Sequence, residues 1–253
     1  MSRIALDLSG QNACVTGSAT GIGRATAIAL AAAGARVMLN HYCQPELAQQ
    51  LESEIRAAGG IALAFDANVA DAAEVVRMVS AIDTHFGALE ILVNNAGVLL
   101  EKPFLDTTEA DWDRVISVDL KSVFLCSRAA LTRMVPRGSG CLINIASELA
   151  ALGRENFGVY CAAKAGVIGL TKSLAREFAP AIRVNAIAPG PTDTAMLSLD
   201  QISPEWQARE LAIPAARAGR PEEIAATVLF LASAHAGFFY GQTLSPNGGA
   251  WMA

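Results

Sequence analysis

Basic character is in short supply. The 253-residue chain carries 19 Lys and Arg against 24 Asp and Glu, a formal net charge of -5. No Lys/Arg cluster offers a footprint for nucleic acid or anionic lipid, so the expected partner is a small molecule. Histidine is scarcer still: His41, His85 and His235 lie far apart without ligand spacing, and no metal site is expected. The five cysteines, Cys14, Cys43, Cys126, Cys141 and Cys161, form no CxxC pair. Most sit in apolar surroundings, which suits small hydrophobes in a reducing compartment. Nothing near Met1 reads as a signal-peptide core, and the Ala-rich run from Thr26 to Ala35 is too short to span a bilayer. Internal repeats and low-complexity tracts are missing too. These absences point to a cytoplasmic protein with no membrane and no nucleic-acid contact.

What is there is apolar: 53% of residues are hydrophobic and 17% charged, enough to bury one core in one domain spanning 1–253. Strand-like and helix-like segments alternate. Strands are expected at Ala13 to Thr16, Arg36 to Asn40, Ile61 to Phe65, Glu90 to Val93, Cys141 to Ile145 and Arg183 to Ile187. Helices are expected up to Ala33 and around Glu46 to Ala58, Ala72 to Phe86, Glu109 to Met134 and Tyr160 to Phe178, with Gly34 and Gly59 at two helix ends. Continuous apolar strands such as Ile91-Leu92-Val93, each followed by a helix, predict an α/β fold: a doubly wound parallel sheet covered on both faces. Ligands of such sheets lie beyond the carboxyl ends of the strands. The stretch 191–220 holds Pro204, Pro214 and only a weak helical segment around Trp206 to Leu211. It is long for a connection and reads as a lid. Trp112 and Phe124 read as packing residues, and Trp206 as either lid anchor or substrate wall.

Four segments after strands carry unusual residues. The first is Thr16-Gly17-Ser18-Ala19-Thr20-Gly21-Ile22-Gly23, opening a helix. Glycines there permit a tight turn and close backbone approach, and the helix N-terminus offers free N–H groups to a pyrophosphate. The second strand ends Asn40-His41-Tyr42, where a dinucleotide site usually has Asp or Glu for the adenosine ribose. The missing carboxylate removes the repulsion that would exclude a ribose 2'-phosphate. NADP or NAD is therefore expected, with the balance toward NADP; His41 reads as a cofactor contact or as a solvated loop residue. The third segment, Asn94-Asn95-Ala96-Gly97, has small and amide side chains that let a ligand approach closely.

The fourth segment has Ser147 after the fifth strand, then Tyr160 and Lys164 at i, i+4 on one helical face. Tyrosine titrates near about 10, so it needs help to exchange a proton at neutral pH. An ammonium about 4 Å away, at an effective dielectric of about 20, supplies roughly 4 kcal/mol, or about 3 pKa units before desolvation. Ser147 is placed to hold a substrate oxygen beside Tyr160.

Together these residues resemble the short-chain dehydrogenase/reductase family. TGxxxGIG, NNAG, Ser147 thirteen residues before Tyr160, YxxxK and Pro189-Gly190 occur in family order over essentially the whole chain. The resemblance implies a seven-stranded Rossmann sheet and a homotetramer with the long helices at one interface. It implies hydride transfer between a nicotinamide cofactor and a carbonyl or alcohol substrate, with Tyr160 as acid/base, Ser147 orienting the carbonyl and Lys164 tuning Tyr160 and binding the nicotinamide ribose. Gly17, Thr20, Gly21, Ile22, Gly23, Asn95, Ala96, Gly97, Pro189, Gly190, Thr192 and Thr194 are the implied cofactor contacts. The resemblance extends to 3-oxoacyl carrier protein reductases and equally to sugar and polyol dehydrogenases. The last strand and C-terminal turn, Gly241-Gln242-Thr243-Leu244 and Asn247-Gly248-Gly249, read as an oligomer contact.

Three positions depart from the family pattern. Asp119 holds the place of an Asn that usually completes a catalytic tetrad, and an ionised Asp accepts hydrogen bonds without donating. Asn68-Val69 replaces the Asp-Val of the adenine pocket, and its amide oxygen can still accept from an amino group. The third departure is the missing acid near His41. Against the enzyme reading stands a cofactor-binding sensor, favoured by Asp119 alone and opposed by an intact Ser147, Tyr160 and Lys164. Glu148, Arg154, Glu155 and Asn156 would form a polar rim for a hydroxylated substrate, but they read first as a solvated loop. An acyl-carrier substrate would need a basic docking patch, for which Arg128, Arg133, Arg137 and Lys172 are the candidates.

Overall fold

The computed structural model describes residues 6–197, 200 and 203–252. The expected domain limits, and part of the expected lid at 191–220, therefore fall outside the described residues. Strands β1 (Asn12–Val15), β2 (Arg36–His41), β3 (Ile61–Asp66), β4 (Ile91–Asn94), β5 (Gly140–Ile145), β6 (Ile182–Ile187) and β7 (Thr243–Leu244) form one sheet in the order β3-β2-β1-β4-β5-β6-β7. Every adjacent pair is parallel. The helices are α1 (Gly21–Ala32), α2 (Pro45–Ala57), α3 (Ala72–Phe86), α4 (Glu109–Ile116), α5 (Ser122–Met134), α6 (Leu149–Leu152), α7 (Gly158–Phe178), α8 (Pro204–Glu210) and α9 (Pro221–Ala232).

Successive strand side chains point to opposite faces, and the apolar strands divide accordingly. Ala13, Val15, Ile91 and Val93 join Leu30, Ile55, Val228 and Leu231 in a core shared with α1, α2 and α9. Cys14, Leu92 and Leu142 join Met78, Ile82, Ala130 and Met134 in a second core beneath α3 and α5. A strand buried on both faces has no polar alternation to show, which is why these runs read as continuous. Helix α3 starts on Asp71, whose carboxylate accepts from the N–H groups of Ala73 and Glu74 at 2.8 and 3.0 Å. Gly34 and Gly59 stand two residues beyond the ends of α1 and α2 at φ +95° and +87°, the left-handed conformation that ends a helix.

The expected single helix from Glu109 to Met134 runs through in space but is interrupted by one π turn, Ser117–Lys121. Such turns re-aim side chains and recur at functional sites; this one turns Asp119 inward until it is fully buried. Trp112 and Phe124 are not core packing residues: they are 45% and 48% exposed and belong to none of the buried apolar clusters. The C-terminal turn packs on the segment before α9. Gly248 and Gly249 lie against Ile213 and Pro214 of the 191–220 segment, where a Cβ would approach within 2.8 Å of each. Among the described residues no helix is long and apolar enough to cross a membrane.

Candidate active site

The strand order changes direction between β1 and β4, so the loops leaving their carboxyl ends part and open a crevice. A cleft of about 730 Å³ occupies it. On one side is the glycine turn. Gly17 has φ +62°, and a Cβ on it would lie 2.9 Å from Ala96 Cα. A Cβ on Gly23 would meet the Gly17 carbonyl at 2.3 Å and Asn95 Nδ2 at 2.5 Å. The loops are fastened together: Asn95 Nδ2 donates to the carbonyls of Thr16 and Gly17 at 2.9 and 3.1 Å, and the Gly17 N–H donates to Asn40 Oδ1 at 3.2 Å. Helix α1 begins without a capping side chain and without an acid in its first turn. Its first N–H groups and the positive end of its dipole are left for an anion. A dinucleotide pyrophosphate fits this turn, and any larger residue at Gly17 would fill it.

The cofactor residues expected from the sequence line this cleft, with two exceptions. Gly23 lies behind the turn, where the packing just described needs it. His41, the last residue of β2, is neither a cleft wall nor a solvated loop residue. It is 5% exposed, with Nδ1 3.9 Å from Asp66 Oδ1 across the β2–β3 pair. Its neighbours Tyr42 and Gln44 reach the cleft instead, as the period of two along an extended chain would have indicated. Asn68 Oδ1 accepts from the Ala70 N–H at 3.0 Å, so its amide shapes the turn after β3 while its other lone pair stays available.

At the other end, α7 presents Tyr160 and Lys164 one turn apart, and Ser147 follows β5. Lys164 is 4% exposed; its Nζ donates to the Ile145 carbonyl at 3.1 Å and lies 5.6 Å from the Tyr160 ring centre. Asp119 faces it at 3.5 Å and accepts from the Val98 N–H at 2.8 Å. Burial alone would lower Lys164, but the Asp119 carboxylate, and the Tyr160 phenolate once formed, hold its ammonium above the usual lysine range. The departure from the family Asn has thus become one half of a buried ion pair. Burial pushes the Asp119 carboxyl up, against the pull of Lys164 and the Val98 N–H.

The expected depression of Tyr160 is not what the environment gives. Burial raises the phenol first, Lys164 pulls it back, Asp119 raises it again and Ser147 offsets part of that; the net direction is up. Tyr160 therefore keeps its proton at neutral pH, the state that can deliver a proton to an oxygen gaining negative charge. The Asp119 carboxylate opposes formation of a phenolate. We predict that Asp119→Asn, which keeps an acceptor for Val98, moves the acid limb of the pH profile for alcohol oxidation to lower pH. A limb that stays in place or moves up would show that Asp119 does not act through Tyr160.

Sequence reasoning underrated the residues just past Ser147. Glu148 is 6% exposed and buried, not solvated. Arg154 Nη1 meets Glu210 Oε1 of α8 at 2.6 Å, and the Arg154 guanidinium lies 5.7 Å from the rings of both Phe157 and Trp206. Arg209 stacks on Trp206 from 5.1 Å and pairs with Glu155 at 2.7 Å. Trp206 does not line the cleft; clasped between two arginines, it anchors α8. Among the described residues no cluster of His, Cys, Asp or Glu is arranged to hold a metal.

Comparison with known proteins agrees with this geometry. A family model described as "Enoyl-(Acyl carrier protein) reductase" matches residues 17–250. The 3-oxoacyl-(acyl-carrier-protein) reductase FabG of Staphylococcus aureus is 44% identical over 244 residues, covering 96% of this chain and 98% of that protein. A solved structure from Agrobacterium tumefaciens described as a gluconate dehydrogenase superposes with a TM-score of 0.93 at 38% identity, covering 97% of this chain and 98% of that one. Another, from Beutenbergia cavernae, described as an NAD(P)-dependent gluconate 5-dehydrogenase with NADP bound at low occupancy, gives a TM-score of 0.91 at 35% identity over 96% and 98% of the two chains. The chain belongs to the short-chain dehydrogenase/reductase family of NAD(P)-dependent oxidoreductases.

Proposed function

We propose that the protein reduces a ketone to a secondary alcohol with NADPH, Tyr160 supplying the proton. The observation that carries this reading is the buried Tyr160 placed between Ser147 and Lys164. When bound, the nicotinamide ring supplies the hydride. Ser147 orients the carbonyl oxygen, Tyr160 protonates it as charge develops, and Lys164 stabilises the phenolate left behind. Asp119 acts on that step through Lys164. Gly17, Thr20, Gly21 and Ile22 hold the pyrophosphate, Asn40 and Asn68-Val69 the adenosine, and Asn95, Ala96, Gly97, Pro189, Gly190, Thr192 and Thr194 the nicotinamide half.

The preference for NADPH rests on charge. The acids that line the cleft are Asp119, Glu148 and Glu210, and none belongs to the rim at Asn40, Tyr42 and Gln44. Asp66 and Glu74 act on Tyr42 from nearby but do not line the cleft, so the repulsion that a carboxylate on the rim itself would exert on a 2'-phosphate is reduced. We predict a kcat/KM about tenfold higher with NADPH than with NADH, since the repulsion of a 2'-phosphate by a rim carboxylate, missing here, corresponds to about 1.4 kcal/mol. Equal values, or a preference for NADH, would contradict the assignment.

The segment 191–220 acts as a lid: Thr192, Thr194 and Glu210 line the cleft, and α8 is tied down through Arg154 and Glu155. We place the enzyme in the cytoplasm as a homotetramer. The support is an apolar groove on α5 and α7, with Phe124, Leu131, Val135, Leu170 and Leu174 along it, suited to a second copy of the chain. The substrate is a keto compound, of the 3-oxoacyl or the polyol kind. Two of the four cations considered for an acyl carrier are engaged, Arg133 with Asp83 at 2.7 Å and Arg137 with Glu90 at 3.6 Å.

A further inference from the structure

Resting on the reading of the cleft as a ketone-reducing site, one carboxyl group in it has no task in the proton transfer. Glu148 directly follows Ser147, lines the cleft and is 6% exposed. Its Oε2 is buried without a hydrogen-bond partner. Its backbone is fixed, the N–H donating to the Pro189 carbonyl at 3.1 Å. Arg154, which might have neutralised it, is committed to Glu210 at 2.6 Å. An orphaned carboxyl oxygen is costly unless something completes it, and what enters this cleft beside Ser147 is substrate.

We propose that Glu148 is a hydroxyl-recognition subsite, and that the substrate is a ketone carrying hydroxyl groups close to the reacting carbon. Burial pushes the Glu148 carboxyl up to about 7, Arg154 drawing it down and Glu210 adding to the rise. Near neutrality it therefore serves a hydroxyl both as acceptor and, when protonated, as donor. The cleft's three cations, Arg114, Arg154 and Lys164, are matched by Asp119, Glu148 and Glu210, so its lining offers no excess positive charge to an anionic group. Neutral hydroxyls suit it best. An unsubstituted acyl chain would leave the Glu148 oxygen dehydrated and unpaired, the situation in which a polar site rejects the analogue lacking its partner.

The test uses two four-carbon ketones, L-erythrulose and 2-butanone, with NADPH. Wild-type kcat/KM favours L-erythrulose by at least about 30-fold. Glu148→Leu removes most of that ratio by losing L-erythrulose, while Glu148→Gln, which still hydrogen-bonds, keeps it within about fivefold. Unchanged NADPH affinity certifies each variant, and Glu148→Met is read if Glu148→Leu loses it. In the Tyr160→Phe background, with turnover removed, the dissociation constant of L-erythrulose from the NADPH complex, read from nicotinamide fluorescence, rises at least about tenfold on adding Glu148→Leu. A wild-type ratio near one, or a ratio and dissociation constant indifferent to Glu148→Leu, overturns the proposal. Turnover surviving in Tyr160→Phe would instead count against the acid/base assignment, and the ratio alone then decides on Glu148. If neither ketone is reduced, the dissociation constant decides.

Discussion

Tyr160→Phe is expected to lower kcat for ketone reduction by about a thousandfold while leaving NADPH affinity within about threefold. The ring is 9% exposed and packs against Lys164, so phenylalanine fills the same space and the loss reports the proton alone. Positioned general acids contribute about 100- to 10,000-fold. A thousandfold loss is the middle of that range: burial and Asp119 keep the phenol protonated and Ser147 stands beside it. The measurement is kcat with saturating cofactor beside a fluorescence titration of NADPH. A loss under about tenfold would transfer the acid role to another group.

Lys164→Met should damage both stability and activity. The ammonium and the Asp119 carboxylate are buried together at 3.5 Å, and removing one member of such a pair leaves the other charge without compensation, at a cost of about 3–5 kcal/mol. Asp119→Asn in the Lys164→Met background removes the stranded charge. The double variant should recover on the order of 2 kcal/mol by urea denaturation, yet remain as inactive as Lys164→Met, because Tyr160 still lacks its ammonium. Additive stabilities would mean that the two residues do not interact; recovered activity would mean that Lys164 serves only to neutralise Asp119.

How much of this was legible depends on how local each signal is. Ser147, Tyr160 and Lys164 were readable because two of them share one helical face and all follow one strand, so no knowledge of distant packing was required. The sheet was readable because Ile91-Leu92-Val93 and its counterparts are apolar on both faces. Asp119 could be flagged as a departure, but its ion pair depends on a π turn that no periodicity announces. Glu148 read as solvated because loops of that composition usually are; it is buried in the fold, near Arg154 and near Glu210, more than fifty residues downstream on α8. Trp112 and Phe124 failed in the opposite sense: an aromatic on an amphipathic helix implies burial, but within a single chain about half of each stays exposed. His41 was misplaced by one step of strand alternation, which sent Tyr42 to the cleft in its stead.

The most direct test of the account is stoichiometric: mix the protein with NADPH and L-erythrulose, follow cofactor oxidation, and identify the product by mass spectrometry. One secondary alcohol formed per NADPH consumed, abolished by Tyr160→Phe, is the result the account predicts. NADPH bound with measurable affinity, but never consumed across hydroxylated ketones and 3-ketoesters alike, would contradict it and leave a cofactor-binding sensor in its place.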